Sequence, residues 1–135
     1  MQEITINSIV KATYNSGTYI GKVIEDRGNF WLVEVLAVLK HPDQGDLHKP
    51  GQVEGVAFHE RKALAYREKM NARKRHVTIY DGPVPEYRAS LKTAVEEFKA
   101  QLAAEDTAFN RRSLARLTDL EKYFYDKIFN QKKKS

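Results

Sequence analysis

Three of the four histidines in this 135-residue chain lie between positions 41 and 59, and each has a carboxylate within two residues. His41, Asp43, Asp46, His48, His59 and Glu60 are nitrogen and oxygen donors of the type that hold a divalent metal, and Gln44 and Arg61 add an amide and a guanidinium to the same stretch. Their spacing fits no zinc signature: His59 and Glu60 lead to Arg61, Lys62 and Ala63, where a metalloprotease helix would place a second histidine. No metal site is therefore expected. Asp43, Asp46 and Glu60 could in principle form a two-carboxylate acid–base pair, but carboxylates in a loop are mostly solvated. A nucleophile needs an activating base and a third group to orient it, and none of Ser8, Ser16, Ser90, Ser113 or Ser135 stands in a GxSxG elbow. With no glycine-rich phosphate loop or dinucleotide fingerprint either, no catalytic residue and no cofactor are expected. What remains to these side chains is hydrogen bonding, either to their own loop backbone in Asx-type turns or to a partner. Both readings stand at this point.

The stretch that carries them cannot be a long regular element, because Pro42, Gly45, Pro50, Gly51 and Gly55 interrupt it. A polar loop over residues 41–60, inside a chain of this size, is usually functional or disordered, and its mixed composition is not that of a low-complexity linker. The expectation is a structured, functional loop.

The flanking segments must position that loop. Residues 8–14 alternate as a half-buried strand, Asn15, Ser16 and Gly17 supply a turn, residues 18–26 resume the pattern, and Arg27, Gly28 and Asn29 turn again. Gly21 inside the second strand suggests a sharp bend of the kind that curls a small barrel. Residues 30–40 form the strongest strand, apolar on both faces, so Trp31 is expected to be largely buried and the opposite face, Phe30, Leu32, Leu36 and Val38, to be covered by later helices. Residues 58–70 mix helical composition with a strand-like pattern and lean to strand, and residues 76–80 are a further strand. From Pro85 the period becomes helical through Tyr87, Leu91, Val95, Phe98 and Leu102; after a cap at Asp106 or Thr107 a second helix carries Phe109, Leu114, Leu117, Leu120, Phe124 and Ile128 on one face. The predicted fold is α+β: a small, half-open SH3-like β-barrel of about five strands over residues 1–81, followed by a two-helix hairpin over residues 82–135 that packs on it. Residues 131–135 hold no apolar anchor and are expected to form a frayed, dispensable tail.

Absence of cysteine excludes disulfides, thiolate metal sites and lipid attachment to a thiol. No run approaches the roughly 18 apolar residues of a membrane span, and the first residues lack the pattern of a signal peptide, so a cytoplasmic location is expected. The net charge of +5 is uneven: residues 1–66 hold 7 Lys/Arg against 8 Asp/Glu, and residues 67–135 hold 16 against 10. The basic runs at 73–75, 111–112 and 132–134 could attract nucleic acid or an acidic membrane surface, or simply solvate their elements. Tyr14, Tyr19, Phe30 and Trp31, the rings a small barrel would stack on bases, belong to the acidic half. That separation lowers a nucleic-acid-binding small barrel to the second reading, behind a protein-binding module.

Four segments taken together resemble the kinase-associated protein B family of Bacillus and its relatives: NSIVKATYNSGTYIGKV, AVLKHPDQGDLHKP, FHERKALAYREK and YDGPVPEYRASL, in that order over nearly the whole chain. The resemblance implies a small SH3-like barrel with C-terminal helices. It also implies an accessory role in the sporulation phosphorelay, supporting a membrane-bound sensor histidine kinase without kinase activity, cofactor or catalytic residue of its own. The lipoprotein label sometimes attached to that family conflicts with a sequence that has no cysteine. On this basis His41, Asp43, Gln44, Asp46, His48, His59, Glu60 and Arg61 are expected to bind the protein partner, and the lysines at 132–134 to make at most a weak contact with an acidic membrane. Oligomeric state stays open.

Overall fold

The computed structural model describes residues 3–130. Five strands, β1 (Ile9–Tyr14), β2 (Gly17–Arg27), β3 (Phe30–Lys40), β4 (Lys69–Arg73) and β5 (Val77–Ile79), form one antiparallel sheet in the order β4-β3-β2-β1-β5. Two tight turns make the meander. Asn15 and Ser16 join β1 to β2 with φ of 47° and 71°, a left-handed pair that matches the twist of a hairpin, and Gly28 turns at φ 75° between β2 and β3. The sheet curls far enough to bring β4 near β1, yet it stays open, with β4 and β5 as its outer strands. The sequence suggested a half-open barrel; the structure has an open five-stranded sheet, in which β5 is only three residues long, ended by Asp81, Gly82 and Pro83, and satisfies one neighbour, β1. The curl uses Gly21. The β2–β3 register shifts between Ile20 and Gly21, and a Cβ at Gly21 would stand 2.6 Å from the Glu34 carbonyl oxygen, so only glycine allows the two backbones to approach there.

Residues 58–70 become strand only at their end, in β4. Upstream, side chains take the place of a neighbouring strand: Gln44 Oε1 accepts from Arg61 N, Tyr125 Oη from Ala63 N, Tyr19 Oη from Leu64 N and Glu68 Oε1 from Ala65 N. Arg67, at φ 69°, then turns the chain into β4.

Helix α1 (Tyr87–Ala103) lies on β3 and buries Leu91, Ala94, Val95, Phe98 and Leu102; Ser90 Oγ fixes it there by accepting from Val38 N at 2.9 Å. Helix α2 (Ala108–Leu120) packs on α1 and is capped as predicted, Thr107 Oγ1 accepting from Asn110 N at 3.0 Å. It runs through a π turn, Glu121–Tyr125, into α3 (Asp126–Phe129). The helical period of the sequence placed Phe124 in the core. The π turn inserts one extra residue after Leu120, so Tyr125 is taken inside at 2% exposure and Phe124 is left 43% exposed. A single apolar cluster joins the sheet to the helices, through Val10, Val33, Val35, Leu91, Leu117 and Leu120 among others. Over β3, Leu32 and Val38 are buried while Phe30 and Leu36 are half-covered. Trp31, expected in the core, is only partly buried, and Lys74 Nζ lies 4.2 Å over its ring. The tail at 131–135 lies outside the described residues.

Candidate partner-binding loop

The loop begins where β3 ends, and its first residue is its most deeply buried. His41 has no exposed surface; its ring stacks on Phe98 of α1 at 5.5 Å and meets Tyr125 edge-on at 5.7 Å. Nδ1 contacts the Pro42 carbonyl at 2.8 Å, which can only accept, so Nδ1 carries the proton. Tyr125 Oη, which already accepts from Ala63 N at 2.9 Å, donates in turn to His41 Nε2 at 2.8 Å. Burial holds the imidazole's pKa down, to about 4, against smaller opposing effects of the Pro42 hydrogen bond and the Asp43 charge. His41 is therefore neutral, with both nitrogens committed, and is unavailable as a base or a ligand.

Gln44, 1% exposed, clamps the two limbs of the loop together. Its amide donates to the carbonyls of Pro42 at 3.1 Å and Arg61 at 3.0 Å, and its Oε1 accepts from Arg61 N at 2.9 Å. The Arg61 guanidinium completes the clamp by donating to the carbonyls of Asp43, at 3.2 Å, and Gly45. Gly45 N donates to the His59 carbonyl at 2.9 Å, and with φ 91° the glycine passes beneath Phe58 and Phe109, whose rings would lie 3.1 Å from any Cβ. Further out, Ser16 Oγ accepts from Asp43 N at 2.8 Å, and Asp46 Oδ1 accepts from His48 N at 2.9 Å in an Asx turn.

Of the eight residues expected to face a partner, the structure thus divides the roles. His41 and Gln44 are internal, a correction to the sequence reading that follows from their complete hydrogen bonding: they have no atom left to offer. Asp43, Asp46 and Arg61 are half-buried, whereas His48, His59 and Glu60 are exposed on neighbouring limbs. Among the described residues, no three His, Asp or Glu side chains come together as a metal would require. A cavity of about 380 Å³ opens beside the loop, with Asp43, Asp46 and Leu47 facing Phe98 and Phe109.

Sequence reasoning missed the tyrosines. Tyr125, Tyr19 and Tyr87 bind the loop's second limb through Ala63 N, Leu64 N and the Leu64 carbonyl, the last at 2.5 Å. Burial raises the pKa of all three, Tyr19 to about 12. Tyr125 lies off the apolar period of its helix, and the only signal for it was the run of three aromatics at 123–125. The π turn also leaves Tyr123 and Phe124 on the surface beside this limb, Lys62 Nζ lying 4.2 Å over the Phe124 ring.

Comparison with known proteins places this arrangement. The family model for kinase associated protein B matches residues 14–125, which include β2 to β5, the loop, both long helices and the π turn. The chain belongs to the kinase-associated protein B family. It is 44% identical over 127 residues to the kinase-associated lipoprotein B of Bacillus subtilis (strain 168), covering 94% of this chain and 99% of that protein. The crystal structure of kinase-associated protein B from Bacillus cereus superposes with a TM-score of 0.75 at 38% identity, over 89% of this chain and 96% of that one. The lipid in the subtilis protein's name finds no thiol among these 135 residues, which contain no cysteine. Among the described residues, no helix of this kinase-associated protein B family member is long and apolar enough to cross a membrane.

Proposed function

We propose that this protein is a non-catalytic accessory factor that binds a sensor histidine kinase at the cytoplasmic face of the membrane and supports it in the sporulation phosphorelay. The names of its relatives, kinase-associated proteins, support association with a kinase. The observation that carries the site is the internal bonding of the loop: the His41, Gln44 and Arg61 network ties together two polar limbs whose side chains His48, His59 and Glu60 are exposed. Preorganised polar groups bind with less ordering cost than mobile ones. We read the curled sheet within residues 3–81 as an opened relative of an SH3-like barrel, whose loops commonly line binding surfaces, and the helices within residues 82–130 as its support. Any contact of the lysines at 132–134 with acidic lipid is weak and secondary.

Co-purification of tagged protein from its native cell tests the reading. His48→Ala, His59→Ala and Glu60→Ala should keep wild-type stability, lose the kinase from the eluate and lower sporulation. Retention of the kinase by the triple variant would overturn the assignment of the surface. Arg61→Ala serves as the contrasting variant, because it should lose binding and stability together.

A further inference from the structure

The fold brings together aromatic and basic residues that the sequence holds apart. At the end of the sheet opposite the loop, Phe30 opens β3 and pairs in register with Arg27 of β2 on one side and Arg73 of β4 on the other. Residues directly opposite in an antiparallel ladder project to the same face, so Phe30, Arg27 and Arg73 share one face, the Arg27 guanidinium being engaged there by Glu25 and, at 3.1 Å, by Asn71 Oδ1. Arg73 Cζ is 5.5 Å from the Phe30 ring centroid. Lys74 N donates to the Asn29 carbonyl at 3.0 Å, which ties the 3-10 turn Lys74–His76 to the β2–β3 turn and sets Arg75 beside the same tip. Glu25 and Asp26 offset part of the charge, the first against Arg27 and the second against Lys74 at 2.7 Å. Arg73 and Arg75 are exposed and form no ion pair among the described residues.

We infer that this end of the sheet is a platform for single-stranded nucleic acid, with Arg73 and Arg75 at phosphates and Phe30 beneath a base. A polyanion with flat apolar faces matches this juxtaposition, its charges meeting the cations and its faces the ring. An acidic protein segment would use the arginines but leave the ring unmatched. A duplex is disfavoured by shape, since its bases are reached through a groove by an inserted helix or ribbon and this surface is the blunt tip of three strands. The separation of acidic, aromatic half from basic half, which argued against nucleic acid in the sequence, is removed by the pairing of β3 with β4.

Trp31, the sole tryptophan, points to the other face of β3, but Lys74 Nζ lies 4.2 Å over its ring and Lys74 directly precedes Arg75, so its emission reports on this end of the sheet. The full chain is titrated with oligothymidylate of about 20 nucleotides at about 50 mM salt, and in parallel with polyglutamate of equal charge. The expected result is saturable quenching by the oligonucleotide, and an affinity that falls with salt at a logarithmic slope between about −1.4 and about −2.1, as two or three phosphate contacts to a single strand require. Arg73→Ala combined with Arg75→Ala should raise Kd about tenfold or more and flatten that slope. Phe30→Leu should raise Kd several-fold at unchanged slope, because it removes a ring and no charge. Circular dichroism melts verify that both variants are folded. Absence of saturable quenching, equal binding of polyglutamate, or wild-type affinity in the folded double-arginine variant would each overturn the inference; equal binding of polyglutamate would mark the surface as one for acidic protein segments.

Discussion

Acid should loosen this protein through His41. Folded, the buried imidazole titrates near pH 4, whereas an unperturbed histidine titrates at 6.5, so between those values the unfolded chain holds the extra proton. The stability contributed by the neutral ring is therefore complete above pH 6.5 and is lost as pH falls towards 4. Integrated between pH 7 and pH 5, that linkage is about 2 kcal/mol, a large share of the stability of a small domain. The structural cost behind it is definite. A protonated Nε2 would point a second donor at Tyr125 Oη, which already accepts from Ala63 N, and would put a charge against Phe98. Urea unfolding of the wild type and of His41→Gln, at pH 7, 6 and 5, isolates the effect, since every other titrating group is common to both proteins. The wild type should be the more stable at pH 7, and its advantage should shrink by about 2 kcal/mol at pH 5. An advantage constant with pH would show that His41 titrates alike in both states. An advantage that grows on acidification would mean that the fold prefers the charged ring, and the tautomer and hydrogen-bond directions given above would be wrong.

At the alkaline end the sign reverses: Tyr19, Tyr87 and Tyr125 have pKa values raised above the usual 10, so stability should fall above about pH 10, and ultraviolet titration should show three of the seven tyrosines ionising only on unfolding. Gly21→Ala should destabilise by about 2 kcal/mol or more, measured by urea unfolding, because the methyl group meets the Glu34 carbonyl and the Val33 side chain. Tyr125→Phe should cost about 1–3 kcal/mol by leaving Ala63 N and His41 Nε2 unpaired, whereas Phe124→Ser, on the neighbouring residue, should stay within about 0.5 kcal/mol. Equal effects at 124 and 125 would contradict the π turn.

What could be read in the sequence was whatever repeats with a period or breaks one. The alternation of residues 8–14 and 18–26, the continuous run of β3 and the helical spacing from Tyr87 to Leu102 all express burial on a regular element, and each element is where the pattern put it. The loop boundary at His41 was legible from proline and glycine. Long-range hydrogen bonds were not, because they have no period: nothing in the order of residues says that Tyr125 closes onto His41 across 84 positions, or that Gln44 pairs with Arg61 across 17. The same blindness explains the site. Polar residues in a loop look alike whether they clamp its limbs or face a partner, and only burial separates Gln44 from His48. The π turn was hidden for a different reason, since Phe124 satisfies the ordinary helical period better than Tyr125 does, and a hydroxyl with two buried partners outweighs that period.

The two surfaces sit at opposite ends of one strand, and that geometry has a consequence for how they work. Lys40 leads from β3 into the loop, and Phe30 opens β3 at the platform, so the sites are separated by eleven residues of strand, at most roughly 33 Å at about 3.3 Å per residue. That is several Debye lengths at physiological salt, so the arginines at 73 and 75 exert little force on a partner bound at His48 or Glu60. Coupling would have to pass through β3 itself, whose centre is buried between its neighbours and α1. If the loop and the tip bind as proposed, a protein partner and a strand of nucleic acid would be held at the same time and independently, an arrangement suited to joining two ligands and poorly suited to switching one with the other.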